Sequence, residues 1–275
     1  MGEMVGLLGH PVAHSLSPKM HNEAFAAVGL PLHYEAFDVL PGDLGDAVKG
    51  MKALGFRGCN VTIPHKVAVI SFLDHVSEEA MAIGAVNTVV IEGRKLYGHN
   101  TDGRGYLRSL QEETGFQPLG SRVLVLGAGG AARAVSFALL QAGVAELRLA
   151  NRHPERAVEL AERLRSHFPR AAVVGLSMAE VGERIAGVDL LLNTTSVGMF
   201  PHTEDSPLPA DLLAPPLIVS DLVYHPRQTL FLRQAAQRGL KTHSGLGMFV
   251  YQGALAFELW TGMNAPVAVM REALG

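Results

Sequence analysis

The segment NVTIPHK, Asn60 to Lys66, ends a short apolar run with Asn60, Thr62 and a lysine. Only six of the 23 basic residues are lysines, so solubility alone poorly explains a lysine embedded in IPHKVAVI. Apolar surroundings disfavour the ammonium form of a lysine and make such a residue a usable proton donor and acceptor. The plainer alternative is a lysine that opens a helix and extends its head to water. Other polar side chains fall at similar junctions: Asn87 in GAVNT, Asp102 in HNTDG, and Ser15 and Ser17 in HSLSP. Ligands of open α/β sheets gather at the carboxyl ends of strands, so these residues are candidates to converge on one. Each also has a local use. Ser17 or Asp102 could cap the helix that follows, and Asn87 with Thr88 could cap a turn.

A second constellation is VLVLGAGGAARA, which sets Gly127, Gly129 and Ala132 at the spacing G-x-G-x-x-A after an apolar strand and at the opening of a helix. The first glycine permits a tight turn, the second lets backbone amides approach a pyrophosphate, and the small third residue lets helix and strand pack closely. The helix N-terminus adds partial positive charge. At the end of the next strand, where an NAD site presents an acid to the ribose, NRHPER offers Asn151, Arg152 and Arg156. Arginines there suit a 2′-phosphate, so NADP is the expected cofactor. Their alternative reading is as solvated charges at a helix entry. A dinucleotide beside a proton carrier suits hydride transfer.

The elements that must hold these residues follow from periodicity. MVGLLG, YEAFDV and GCNVTI alternate with the helical segments PKMHNEAFAAVGL and DLGDAVKGMKALG, the second expected to start at Asp43 and stop at Gly55. AVNTVVIEGRKLYGHNTD reads as two strands turning near Glu92 to Lys95, an antiparallel pair expected at the edge of the first sheet. GRGYLRSLQEETG is then helical. From Arg122 a fresh series begins with RVLVLG, AARAVSFALLQAG, ELRLAN, PERAVELAERLRSHF, AAVVGL, DLLLNTT and LIVSDLV. Strands alternating with helices predict parallel sheets in two α/β domains. The closing helix GMFVYQGALAFELWTG follows Gly245 and Gly247 and is expected to fold back onto the first domain.

Hydrophobic content of 48% against 18% charged residues fits a folded chain with a substantial core. A net charge of -3 without a basic block excludes a nucleic-acid partner and favours a small-molecule one. The single cysteine, Cys59, excludes an intrachain disulfide and reads as a small core residue. No stretch reaches about 18 apolar residues and the N-terminus lacks a signal pattern, so no membrane association and a cytoplasmic location are expected.

The chain resembles the shikimate dehydrogenases over nearly its full length, through HSLSP, NVTIPHK, GAVNT, HNTDG, GAGGAARA and NTTSVGM in that order. The resemblance implies NADPH-dependent, reversible reduction of 3-dehydroshikimate to shikimate, a step toward aromatic amino acids. It implies an N-terminal α/β substrate domain with a mainly parallel sheet over 1–102, with helices 247–275 packed back onto it. A Rossmann-type doubly wound NADP domain over 103–246 would follow, with a cleft between them. Lys66 and Asp102 would be the catalytic pair. Ser15, Ser17, Asn60, Thr62, Asn87, Tyr224 and Gln252 would join them in binding substrate, the serines at its carboxylate. Gly127, Ala128, Gly129, Gly130, Ala131, Asn151, Arg152, His153, Arg156, Thr194, Ser196, Leu222 and Gly245 would bind NADP. The family often has Thr or Ser where His153 stands, and Glu78, at the position of a family cofactor contact, also reads as a helix-face acid. No metal is expected, and a monomer or homodimer is. Rival readings are an NAD-linked quinate/shikimate dehydrogenase, a methylene-tetrahydrofolate dehydrogenase and a non-catalytic NADP-binding sensor of the same fold.

Overall fold

The structure, a computed structural model, describes residues 3–275; the first two residues of the N-terminal segment lie outside that range. The chain divides into two compact units, residues 1–105 with 250–275, and residues 106–249.

The first unit contains β1 (Glu3–Gly9), α1 (Ser17–Ala27), β2 (Leu32–Asp38), α2 (Leu44–Leu54), β3 (Gly58–Val61), β4 (His75–Val76), α3 (Glu78–Ile83), β5 (Thr88–Glu92) and β6 (Lys95–His99). Helix α4 (Asp102–Thr114) begins in this unit and ends in the second. The sheet order is β2-β1-β3-β5-β6-β4. β1 pairs in parallel with β2 and β3, while β5 runs antiparallel to both β3 and β6. The β5–β6 turn has positive φ at both Gly93 and Arg94, the backbone that matches the twist of a two-residue hairpin. The sequence reading put this hairpin at the sheet edge, but the two-residue β4 pairs with β6 beyond it. So short a strand carries no period for a sequence reading to detect.

Helix α2 ends at Gly55 in the left-handed conformation, which satisfies its last carbonyls without a Cβ penalty. Asp43 precedes it, but its side chain makes no capping hydrogen bond. One face of the sheet packs Leu8, Val48, Met51, Cys59, Val61 and Val89 into a common core. Burial pushes the Cys59 thiol up to about 12, so it stays protonated as an inert core group. A second cluster joins Phe25, Tyr34 and His21 of the N-terminal segment to Phe257 and Trp260 of the C-terminal one. Trp260 is fully buried; its indole donates to Val89 O at 3.0 Å and its carbonyl accepts from Arg57 Nε at 2.7 Å.

The second unit contains β7 (Arg122–Leu126), α5 (Gly130–Gln141), β8 (Glu146–Asn151), α6 (Pro154–His167), β9 (Ala172–Ser177), α7 (Val181–Arg184), β10 (Leu190–Asn193), β11 (Ile218–Asp221), α8 (Leu230–Gln237) and β12 (Lys241–His243). Helix α9 (Gly245–Thr261) returns the chain to the first unit, which ends in α10 (Val267–Glu272). All six strands are parallel in the order β12-β11-β10-β7-β8-β9. Read from β9, this is the 3-2-1-4-5-6 order of a doubly wound dinucleotide fold, in which the order reverses beside β7. Both faces are covered, and accordingly Val123, Leu124, Val125 and Leu126 are all fully buried. Among the described residues no helix is long and apolar enough to cross a membrane.

Candidate active site and dinucleotide site

In the first unit, β3 and β6 deliver their carboxyl ends to the same side of the sheet, carrying Thr62 and Lys66 from one and Asp102 from the other. Asn87 enters at the amino end of β5, and because β5 is antiparallel that end lies beside the other two. Strand reversal, not a carboxyl terminus, places this residue. Lys66 lies in the turn after β3, two residues ahead of a 3-10 turn over Ala68–Phe72, so it does not open a helix.

Lys66 Nζ lies 2.5 Å from Asp102 Oδ2, and the two side chains are 14% and 4% exposed. The carboxylate is therefore nearly dry, while the lysine side chain keeps limited access to solvent. Asp102 Oδ1 accepts from Asn87 Nδ2 at 2.8 Å, and its backbone N–H donates to Asn100 Oδ1 at 3.0 Å. The helix start is thus capped by Asn100, leaving Asp102 free to act with its side chain. Asn87 Nδ2 also donates to Thr101 Oγ1 at 2.9 Å and lies 3.5 Å from Gln252 Oε1, while Asn87 Oδ1 accepts from Thr101 N at 2.8 Å. Lys66, Asn87, Asp102 and Gln252 accordingly form one connected group.

Ser15 and Ser17 follow β1 at the start of α1, where Ser15 Oγ accepts from Ser17 N at 3.2 Å. Ser17 is the first residue of the helix rather than its cap. Asn60 has surroundings different from those expected. It is buried, and its two amide hydrogens go to Asn87 O and Thr88 Oγ1, both at 3.1 Å, while its Oδ1 accepts from Tyr34 Oη at 2.8 Å. It has no N–H to offer a ligand. Sequence reading passes over Asn100 and Thr101 and gives Thr88 only as a turn cap, although all three stand in the quoted motifs beside the residues they bind. Tyr224 belongs to the second unit, where its ring packs on Phe249 with centroids 4.5 Å apart; burial raises its phenol above the ordinary range.

In the second unit, Gly127 leaves β7 with φ of +113°, and a Cβ there would overlap Thr194 Oγ1. Gly129 immediately precedes α5, and a Cβ on it would meet no atom within 4 Å, which leaves open space in front of the helix N-terminus. Ala132 is fully buried against the sheet. Those are the three requirements of a pyrophosphate cradle, so the residues present fit a dinucleotide. At the end of β8, Asn151 Nδ2 donates to His153 O at 3.0 Å and closes the turn into α6. Arg152, His153 and Arg156 are exposed. Thr194 and Ser196 follow β10, and Leu222 follows β11 so near to Gly245 that a Cβ on the glycine would overlap the Leu222 carbonyl.

Two of these loops share a buried anchor. Asp221 Oδ1 accepts from Asn193 Nδ2 at 2.9 Å and from Val223 N at 3.1 Å, and Oδ2 accepts from Thr229 Oγ1 at 2.7 Å. Desolvation outweighs these bonds and pushes its carboxyl up to about 6.

Comparison with known proteins adds the family. Residues 7–89 match the model of the shikimate dehydrogenase substrate binding domain, residues 111–203 that of shikimate / quinate 5-dehydrogenase, and residues 245–274 that of the shikimate 5′-dehydrogenase C-terminal domain. A shikimate dehydrogenase (NADP+) of Moorella thermoacetica is 58% identical over 99% of this chain and 94% of its own length. A crystal structure of shikimate dehydrogenase in complex with NADP+ aligns with TM-score 0.93 at 41% identity, over 99% of this chain and 94% of that one. The Thermus thermophilus enzyme, solved with NADP(H) and shikimate, aligns with TM-score 0.87 at 45% identity over 98% of each chain. With both α/β units matched along nearly their whole length, the chain belongs to the shikimate dehydrogenase family.

Proposed function

We propose that this chain catalyses the reversible, NADP-dependent reduction of 3-dehydroshikimate to shikimate, with Lys66 and Asp102 as its proton-transfer pair. The observation that carries the reading is the 2.5 Å Lys66–Asp102 contact, dry on the carboxylate side and joined to Asn87 and Gln252. Bound NADPH supplies the hydride that reaches the ketone carbon. Negative charge then develops on the ketone oxygen, and the Lys66 ammonium is the group able to donate a proton to it. In the reverse direction neutral Lys66 takes the hydroxyl proton. Asp102, fixed by Asn87 through one oxygen, holds Lys66 through the other and has lone pairs left for a neighbouring substrate hydroxyl. The Lys66 side chain is not wholly sealed from solvent, so its proton can be exchanged with water.

Thr62, Asn87, Gln252 and Tyr224 supply further polar contacts to the substrate, and Ser15 and Ser17, beside the start of α1, suit its carboxylate. Asn60 stands one step behind them: it is buried and bonded to Tyr34, Asn87 and Thr88 rather than to Lys66 or Asp102. On the cofactor side, Gly127, Ala128, Gly129, Gly130 and Ala131 receive the pyrophosphate, and Asn151, Arg152, His153 and Arg156 the phosphorylated ribose. Thr194, Ser196, Leu222 and Gly245 complete the cofactor contacts. The buried lone Cys59 fits a reducing compartment, which supports a cytoplasmic setting.

The test is direct. Purified protein mixed with shikimate and NADP+ should generate NADPH absorbance, with much weaker signals for quinate or NAD+. Absence of turnover with shikimate would leave the sensor reading standing, and a preference for NAD+ would favour the quinate-type one.

A further inference from the structure

We infer that Tyr34, Asn60 and Thr88 are positioning residues for this reaction, forming a buried one-way chain of hydrogen bonds that fixes the Asn87 amide and through it the Asp102 carboxylate. The inference rests on the proposed reaction and deepens it.

The direction of each bond follows from atoms that can act in only one sense. The Asn87 backbone carbonyl can only accept, so the Asn60 group facing it is the NH2. The second hydrogen of that NH2 goes to Thr88 Oγ1. The Asn60 oxygen then faces Tyr34, whose hydroxyl must donate to it at 2.8 Å. Thr88 Oγ1, which receives Asn60, passes its own hydrogen to Asn87 Oδ1 at 3.0 Å. With that oxygen held by Thr88 and by the Thr101 N–H, the Asn87 NH2 is left facing Asp102 Oδ1 at 2.8 Å. An amide flipped the other way would set two oxygens against each other.

The far end of the chain is held as firmly. Tyr34 is fully buried, and its backbone N–H and carbonyl are both bound by the Asn22 side chain, at 2.7 and 2.9 Å. The His21 ring lies flat against its face, with centroids 4.5 Å apart and planes 11° apart. Among the described residues neither His21 nitrogen has a hydrogen-bond partner, so the imidazole serves there as a flat packing surface. Buried, fully satisfied polar chains of this kind lock a single arrangement, because every alternative leaves a group unpaired.

Thr88→Val removes the hydroxyl while nearly keeping the shape, and Thr88→Ser keeps the hydroxyl. We expect kcat for shikimate oxidation to fall about tenfold in Thr88→Val, as for one misdirected bond to a reacting group, and to return to within about twofold in Thr88→Ser. The KM for NADP+ should stay unchanged in both. Wild-type kcat in folded Thr88→Val, or equal losses in the Val and Ser variants, would overturn the proposal. Should Thr88→Val be recovered only unfolded, Tyr34→Phe carries the test; a loss of about threefold is expected, and an unchanged kcat overturns the chain. Lys66→Ala measured alongside separates the two levels. Wild-type turnover in that variant removes the proposed reaction mechanism itself, whereas its loss beside an unaffected Thr88→Val removes only the positioning chain.

Discussion

Replacing Asp221 by Asn should make the protein more stable relative to wild type as pH rises from about 4 to about 7. The carboxyl ordinarily titrates at 3.8 and in the fold at about 6, because burial penalises its charge more than Asn193, Val223 and Thr229 compensate it. Between those values the native chain holds a proton that the unfolded chain has released. Raising the pH through this window therefore favours unfolding, and the penalty is fully present above the folded value. At about 1.4 kcal/mol per pH unit, the window is worth about 3 kcal/mol. Asparagine does not titrate. Its oxygen can still accept from Asn193 and Val223, and its NH2 faces the Thr229 hydroxyl, which already receives Leu232 N at 3.3 Å. Any fixed cost of that substitution offsets the two curves without changing their relative slope. Two buried histidines, His21 at about 3 and His243 at about 4, pull the other way and weaken both proteins as pH falls below the ordinary histidine value. Being common to both, they cancel in the difference. Urea unfolding of the two proteins across this range measures it. The expected result is a stability difference that grows by about 3 kcal/mol up to pH about 6 and is flat above. A difference independent of pH would refute the reasoning that the Asp221 charge is held in the sheet against its solvation.

Other expectations concern the sites and the core. Lys66→Ala should lower kcat by roughly 10² or more with smaller changes in KM, and Asp102→Asn should impair turnover strongly, both checked by steady-state kinetics. Arg152→Ala should raise the KM for NADP+ well above that for NAD+ relative to wild type; equal changes would remove the 2′-phosphate role. Gly58→Ala sets a Cβ into the Val89 carbonyl and 2.6 Å from the Trp260 indole nitrogen. It should cost about 2–3 kcal/mol, read from the unfolding midpoint.

The dinucleotide fold was legible because strand, glycine turn and helix are contiguous in VLVLGAGGAARA, whereas the close approach of Gly127 to Thr194 depends on β10 pairing beside β7. Lys66 and Asp102 could be named as candidates because each stands where an apolar run ends. What contiguity cannot convey is which face a polar residue takes when its partners are distant. Asn60 looked like a ligand-facing group, yet Tyr34 lies 26 residues before it and Thr88 lies 28 after it, and together they draw it inward. The same holds for His243, whose two ring nitrogens meet Ser220 and Ser109 from separate elements. Strands β4 and β12, of two and three residues, are too short to announce themselves.

The antiparallel insertion of β5 has a consequence for how the enzyme is made. Asn60 faces Thr88 in one ladder, and Thr88 faces His99 in the next, so Asn87 and Asp102 meet only when both ladders are in register. A slip of one residue in either would turn Asn87 and Thr88 to the opposite face. Catalytic competence is thus a proofreading signal for strand pairing: chains that refold compactly but misaligned would keep their helices and lose their activity.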